Sequence, residues 1–207
     1  MKEWRMDKNT WIRDSEKEVL TSPVLQIIEQ NCHSSEDGRT QKFYLLRSND
    51  WCNIIPITED GKVVLVNQYR IGIAAHTIEV PGGVVDPGDT GPEKAAVREM
   101  AEETGYVPLP GARLVKLGSS QANPAILNNR VHSFIIGPVR KEKAQHLDAG
   151  EMIETVEVPV EDIPGMIGRG EIAHSLMLNS FLFALLRDPE MTAAMTRQLS
   201  RFRNLDP

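Results

Sequence analysis

The chain has 207 residues, of which 41% are hydrophobic and 25% are charged, and its net charge at pH 7 is −6. This is the composition of a soluble globular protein, long enough for one mixed domain with an appendage or for two small domains. The acidic balance argues against broad contact with nucleic acids or anionic membranes, because both attract basic patches.

Cysteine usage indicates a reducing environment. Cys32 and Cys52 form no CxxC pair and cannot build a disulfide framework. No apolar segment follows the first residues, so we expect a cytoplasmic protein. The longest apolar run, residues 176–186, is interrupted by Asn179 and Ser180 and is too short to span a bilayer.

A small β region is predicted for the first 50 residues. Residues 1–22 are polar, and they either fray or dock their tryptophans, Trp4 and Trp11, on another surface. Strands are predicted at 24–29 and 41–47, because an Asp-Gly turn separates two β-prone runs.

The main domain is predicted to span residues 51–190, and residues 191–207 are expected to form a tail or a helix. Strands are expected at 52–57 and 62–68, and the apolar run 63–66 lacks polar alternation, which is typical of a central strand covered on both faces. The remaining predicted elements are strands at 112–117, 130–136 and 152–158 and helices at 160–168 and 173–187. The last helix is expected to bury a stripe of Leu178, Leu182, Leu185 and Leu186.

A helix is predicted between Pro92 and Gly105. Proline suits the first turn, and glycine suits the left-handed residue that ends a helix. At its start, Thr90 and Glu93 form a capping box or Gly91 is the cap. The helix is expected to bury Ala96, Val97, Met100, Ala101 and Thr104.

The order of all the elements predicts an α/β (α+β) fold with a mixed sheet between helices.

Glu99, Glu102 and Glu103 lie at spacings i, i+3 and i+4, so all three project to one side of this helix. Like charges so close destabilise a helix by a few tenths of a kcal/mol per pair unless something compensates them. The cluster is either a solvated acidic face or a site for a hard divalent cation such as Mg²⁺ or Mn²⁺.

The stretch from Gly83 to Tyr106 resembles the Nudix box, which is a glycine, a glutamate and then REUxEExGU with U apolar. Residues 98–106, REMAEETGY, match at every specified position. The loop before them has one extra residue, so Asp89 and Thr90 stand at the two distances where the family has its glutamate. In the family that glutamate braces the loop and pairs with the arginine, and we expect Asp89 to reach Arg98 instead.

The resemblance implies a Nudix α/β/α sandwich that cleaves a diphosphate with Mg²⁺ or Mn²⁺. The implied metal ligands are the three helix glutamates, the backbone carbonyl of Gly82 and a later acidic residue, for which Glu151 is the first choice. Asp148 and Glu154 are alternatives to Glu151. The implied catalytic base is Glu102 or Glu151.

Outside the box, QYR at 68–70 and TIEVPGG at 77–83 resemble the ADP-ribose pyrophosphatase branch of the family. Arg70 suits a bidentate contact to phosphate, or an ordinary salt bridge. Glu79 either accepts ribose hydroxyls or pairs with Arg70. Pro124 stands where the branch has a substrate-linked proline, and Asn129 replaces an acidic residue there.

The expected activity is hydrolysis of ADP-ribose or a related nucleoside diphosphate sugar to a nucleoside monophosphate and a sugar phosphate. Asn129 favours an alternative substrate such as GDP-mannose. The irregular loop at Asp89 and Thr90 favours a non-catalytic ligand sensor as a second alternative.

The resemblance also implies a homodimer in which N-terminal strands cover the partner's site, so Trp4 or Trp11 either stacks on a base or packs within the protein. His132 is interpreted as a structural histidine. Near the end, Arg197, Arg201 and Arg203 either touch phosphate or form a solvated basic helix end.

Overall fold

The computed structural model describes residues 9–187 and divides the chain into two compact units. The first unit contains the residues up to Asn49 together with Gln121–Arg130, and the second contains Asp50–Ser120 and the residues from Val131 onward. Three predictions fall outside the described residues. They concern Trp4, the tail at 191–207 and its arginines Arg197, Arg201 and Arg203.

The first unit is built on an antiparallel sheet with strand order β1-β2-β3, formed by Trp11–Thr21, Gln26–Ser34 and Thr40–Arg47. The β2-β3 hairpin was predicted and is confirmed. The alternative that residues 1–22 fray is wrong for β1, which pairs with β2 along its whole length. Every residue of β1 is exposed, so its sequence carries no burial pattern, and main-chain hydrogen bonds to β2 hold it in place.

Trp11 packs within its own unit. Its ring meets the Phe43 ring edge to face with centroids 4.9 Å apart, and the Arg39 guanidinium lies 5.5 Å from the Trp11 centroid. Its surface is still 42% exposed. The indole therefore has a cation and an aromatic partner and leaves apolar surface uncovered.

The second unit contains a mixed sheet with the main strand order β10-β5-β4-β9-β8, with β6 paired to β5 and β7 paired to β4. Strands β4 and β9 run parallel, and β5 runs antiparallel to β4, β6 and β10, so the predicted mixed sheet is confirmed. The strands are β4 (Trp51–Thr58), β5 (Lys62–Arg70), β6 (Ala75–Glu79), β7 (Gly82–Val84), β8 (Tyr106–Gln121), β9 (Arg130–Lys141) and β10 (Ile153–Pro159).

Three α-helices accompany this sheet within residues 9–187: α1 (Pro92–Thr104), α2 (Ile163–Gly168), which follows a 3-10 turn at Val160–Asp162, and α3 (Ser175–Leu186). They confirm the helices predicted from the sequence. None of the helices in this part of the chain is long and apolar enough to cross a membrane.

The core lies between α1 and the sheet. All four residues from Val63 to Val66 are buried, which confirms β5 as a central strand covered on both faces. Helix α1 buries Ala95, Ala96 and Met100 against the strands. The strand residues of this cluster include Cys52, Ile54, Val64, Phe134 and Ile136. Of the predicted stripe, Val97 and Ala101 are only partly buried, and Ala95 was missed.

The ends of α1 follow the local sequence signals. Gly91 is the N-cap and no side chain caps the helix, so the capping box of Thr90 and Glu93 does not form. At the other end Gly105 is left-handed, with φ 75°, and its N–H donates to the Ala101 carbonyl.

Strand β8 extends well beyond its prediction of 112–117 and includes Pro108, Pro110 and Gly111. The strand lies at the end of the sheet order. An edge strand tolerates proline, since one row of its N–H groups needs no partner strand.

The predicted buried stripe on α3 is wrong, because Leu178 and Leu185 are only partly buried and the other two leucines are exposed. Leu182 and Leu186 are 41% and 43% exposed, and the fully buried positions are Leu176, Met177 and Ser180. The leucine spacing alone therefore pointed to the wrong face of the helix.

A buried polar network selects the face of α3 that meets the sheet. The Asn53 amide donates to the Leu176 carbonyl and to the Ser180 hydroxyl, each at 3.3 Å. The Ser180 and Ser133 hydroxyls lie 2.9 Å apart. These polar groups have to find partners when buried, so they fix the helix on strands β4 and β9.

Replacing Gly105 by alanine is expected to lower the free energy of unfolding by roughly 2–5 kcal/mol, from left-handed strain and overpacking together. The added Cβ would lie 2.1 Å from the Lys143 carbonyl oxygen. Gly61→Ala is the matched control, because Gly61 has φ +79° but no atom within 4 Å of the added Cβ. Urea unfolding measures both variants, and equal losses would contradict the steric argument.

Candidate active site

Helix α1 packs against β4 and β7 and so brings two of its glutamates to the glycine turn at Gly82-Gly83. The Gly82 N–H donates to Oε2 of Glu103 at 2.9 Å. A Cβ on Gly83 would lie 2.6 Å from Oε1 of Glu99, so only glycine lets that carboxyl group lie against the backbone. Both side chains are therefore positioned by the main chain of the turn.

Burial raises the pKa of Glu99 to about 7 and the pKa of Glu103 to about 8. Neighbouring negative charges add to the effect: those of Glu102 and Glu151 raise the pKa of Glu99, and those of Glu99 and Glu151 raise the pKa of Glu103. Buried acids that repel one another favour either bound protons or a nearby cation.

The donor chemistry fits a divalent cation, because carboxylates and the Gly82 carbonyl supply hard oxygen ligands. The arrangement of the side chains is a separate matter. Within residues 9–187, no group of three or more His, Cys, Asp or Glu side chains stands together so as to hold a metal ion. Glu99 and Glu102 both pair with Arg98 instead, at 2.9 and 2.8 Å.

Arg98 joins the loop before α1 to the helix. Its Nε and Nη2 donate to Asp89 at 3.3 and 3.0 Å, and Nη2 also donates to the Val84 carbonyl at 3.2 Å. The predicted contact between Asp89 and Arg98 therefore forms despite the shorter side chain and the extra loop residue.

Arg70 and Glu79 form a second ion pair on strands β5 and β6. Arg70 donates from Nε and Nη2 to the two carboxylate oxygens at 2.8 and 2.7 Å, and Thr77 donates to Oε1 at 2.5 Å. Burial opposes ionisation of Glu79, but the contacts from Arg70, His174 and Thr77 outweigh it and hold the pKa at about 2. Of the two alternatives for Glu79, pairing with Arg70 is the one that the structure shows.

The loop before β10 carries the other predicted acidic residues. Glu151 is bonded within this loop, where its Oε2 accepts from the Asp148 N–H at 2.9 Å. Its charge acts on Glu99, Glu103 and Arg70, so it belongs to the same group of charges. Glu154 lies on β10 and is exposed.

Pro124 and Asn129 lie in the first unit, whereas the residues above lie in the second. Pro124 is exposed. Asn129 is 1% exposed and its Nδ2 donates to the Asn49 carbonyl at 3.2 Å. A role for these two residues in substrate binding stays a prediction.

Sequence reasoning missed two residues that line a cavity beside the glycine turn, Trp51 and His174. Nothing in their spacing connects them with the box. His132, interpreted as structural, lies on β9 with Nε2 2.9 Å from Asp50.

The chain is similar to several known proteins. The chain is 28% identical over 159 residues to an ADP-ribose pyrophosphatase of Bacillus subtilis (strain 168), covering 76% of this chain and 83% of that protein. It is 28% identical over 162 residues to an ADP-sugar pyrophosphatase of Mus musculus, covering 71% and 73%. A solved structure of an ADP compounds hydrolase superposes with a TM-score of 0.72 at 18% identity, over 86% of this chain and 92% of that one, and shows the same fold.

The family model described as the NUDIX domain matches residues 51–180. This match spans the strands, the glycine turn and the glutamate helix described above. The chain therefore belongs to the Nudix family.

Proposed function

We propose that this protein hydrolyses the pyrophosphate bond of ADP-ribose or a related nucleoside diphosphate sugar, giving a nucleoside monophosphate and a sugar phosphate. The observation that carries the proposal is a pair of carboxyl groups, the partly buried Glu99 and the buried Glu103, held against a glycine turn that lines a cavity together with Arg70. The names of the two pyrophosphatase relatives support the same substrate class.

The proposed metal ligands are the Gly82 carbonyl and four carboxylates, and Mg²⁺ or Mn²⁺ is the proposed ion. The carboxylates are those of Glu99, Glu102, Glu103 and Glu151. When bound, such ions neutralise the diphosphate and lower the pKa of a water molecule. The raised pKa values of Glu99 and Glu103 support this assignment, since a cation relieves the repulsion between them.

The side chains of this protein then orient the substrate and accept a proton. Arg70 donates to a phosphate oxygen from the N–H groups that Glu79 leaves free, while the bidentate contact with Glu79 fixes the plane of the guanidinium. A carboxylate oxygen of Glu102 or Glu151 takes the proton of the attacking water. The 40% exposure of the Glu102 side chain supports its access to that water.

A panel of ADP-ribose, GDP-mannose and other nucleotide sugars, with identification of the released monophosphates, tests the activity. GDP-mannose is the second candidate because Asn129 stands where an acidic residue is expected. If ligands bind and no product forms at saturating Mg²⁺ and Mn²⁺, the protein is a sensor and the proposal is wrong.

The substitution Glu103→Gln is expected to lower kcat for the best substrate by at least about 100-fold, because it removes a carboxylate that we propose as a metal ligand. The variant should remain folded. Glu93→Gln is the matched control, since it makes the same change in the first turn of the same helix and outside the site. Steady-state kinetics and circular dichroism decide the matter, and full activity of E103Q would remove Glu103 from the assignment.

The stability of the metal-free protein is expected to fall by a few kcal/mol between pH 5 and pH 8, since one unit of pKa corresponds to about 1.4 kcal/mol. The pKa of Glu103 is about 8 in the fold, against an ordinary value of 4.5. Between these values the folded protein keeps a proton that the unfolded chain releases, so stability falls as pH rises. Chelator-treated protein, unfolded in urea across this range, measures the slope.

The same titration of E103Q should give a shallower slope, and added Mg²⁺ should restore stability at pH 8. If E103Q and the parent protein lose stability equally between pH 5 and pH 8, the burial of Glu103 does not govern the dependence. Glu93→Gln again serves as the control and should reproduce the parent curve.

We further propose a cytoplasmic homodimer built through the N-terminal sheet. Exposed apolar side chains on β1 support this assembly, and two free, buried cysteines support a reducing compartment. The exposed residues are Trp11, Ile12, Val19 and Leu20.

Removal of residues 1–22 deletes β1 and is expected to convert the dimer into a monomer. Analytical ultracentrifugation of the full and shortened chains measures this change. The double variant V19S/L20S keeps the length of the strand and tests the apolar side chains alone. A full chain that sediments as a monomer would contradict the proposed assembly.

A further inference from the structure

A cavity of about 310 Å³ opens in the second unit beside the glycine turn. Its walls include Trp51, Arg70, the turn from Gly82 to Val84, and His174. Small-molecule sites usually measure about 300–1,000 Å³, so this cavity has room for part of a nucleotide sugar rather than all of it. What His174 contributes to the cavity is not explained by the Nudix box, which ends at Tyr106.

His174 occupies the N-cap of α3, but its side chain does not cap the helix. Its backbone carbonyl accepts from the N–H groups of Met177 and Leu178 at 3.0 and 3.1 Å, which begins the helix. N-cap positions favour Ser, Thr, Asp and Asn because those side chains bond to the first free N–H groups. The imidazole therefore does not make the hydrogen bond that an N-cap side chain usually makes.

The imidazole instead turns toward Glu79. Its Nδ1 is buried and lies 3.1 Å from Oε2 of Glu79, within ion-pair distance but without a hydrogen bond. About a third of the side chain, 32%, is exposed. Nδ1 is among the buried polar atoms of this part of the chain and Nε2 is not, so Nε2 is the ring nitrogen left to meet a ligand.

Arg70 and His174 thus approach the same buried carboxylate and both line the cavity. Glu79 is 1% exposed and already accepts three hydrogen bonds, two from Arg70 and one from Thr77. It can orient both neighbours but has no solvent-facing oxygen to offer a ligand. The cavity therefore presents N–H donors where the carboxylate itself is covered, and donors of this kind suit an anionic oxygen.

We propose that His174 is a substrate-binding residue that donates from Nε2 to a phosphate oxygen of the nucleotide sugar, next to the contact made by Arg70. The inference rests on the proposed function for the identity of the ligand. Glu79 acts as the common support that orients both donors.

Two isosteric substitutions separate this role from a purely structural one. In His174→Gln the amide nitrogen takes the approximate place of Nε2, whereas in His174→Asn it takes the approximate place of Nδ1. His174→Ala removes both. His132→Asn is the matched control, since it also removes a contact between a histidine and a carboxylate in the same unit.

With ADP-ribose and saturating Mg²⁺, H174A and H174N are expected to raise KM about tenfold, equivalent to about 1.4 kcal/mol, while kcat changes little. H174Q should recover most of the affinity, and H132N should keep the parent KM. The inference is overturned if H174A keeps the parent KM, or if H174N behaves as the parent while H174Q behaves as H174A. If H174A does not fold, the Asn and Gln variants still decide between the two nitrogens.

Calorimetric binding of ADP-ribose to the same proteins distinguishes a failure of the inference from a failure of the proposed function. If the parent protein binds ADP-ribose but releases no product, the proposed hydrolysis is wrong, and a tenfold weaker affinity in H174A and H174N still supports the contact. Equal affinities in the parent protein and all three His174 variants, or no binding to the parent protein, overturn it.

Discussion

The structure depends on the burial of a glutamate side chain where a helix and a sheet would ordinarily meet through apolar groups. Glu103 is 3% exposed, and the Gly82 N–H is its hydrogen-bond donor. The apolar contacts around Met100 have to offset the unfavourable free energy of placing this carboxyl group, and that of Glu99, in a poorly solvated place. The fold therefore holds carboxyl groups where water solvates them poorly, and a nearby cation would stabilise their charged forms.

Two arginines, Arg98 and Arg70, belong to this group of charges and differ in how many carboxylates they pair with. Arg98 lies within ion-pair distance of four carboxylates, so side chains of the protein itself neutralise its charge. These are Asp86, Asp89, Glu99 and Glu102. Arg70 pairs with Glu79 and also lines the cavity. Arg98 consequently organises the loop and the helix, while Arg70 is the arginine that we propose to contact the substrate.

Features set by neighbours in the chain could be predicted from the sequence. Pro92 and Gly105 fix the ends of α1 within one turn of themselves, and the glutamate spacing follows from helical geometry. The motif also indicated that Asp89 reaches Arg98. Strand β1 and the contact between His174 and Glu79 could not be predicted, because each depends on a partner in another element, and neither leaves a periodic pattern.

The polar network beneath α3 constrains the position of His174 relative to the sheet. Ser180 is fully buried with Asn53 and Ser133, and its small side chain sets how closely the helix approaches the sheet. The same helix begins directly after His174. A bulkier residue at position 180 would displace the helix and move the imidazole relative to Glu79. The phosphate contact that we propose for His174 thus depends on packing in the core, at a residue that does not line the cavity.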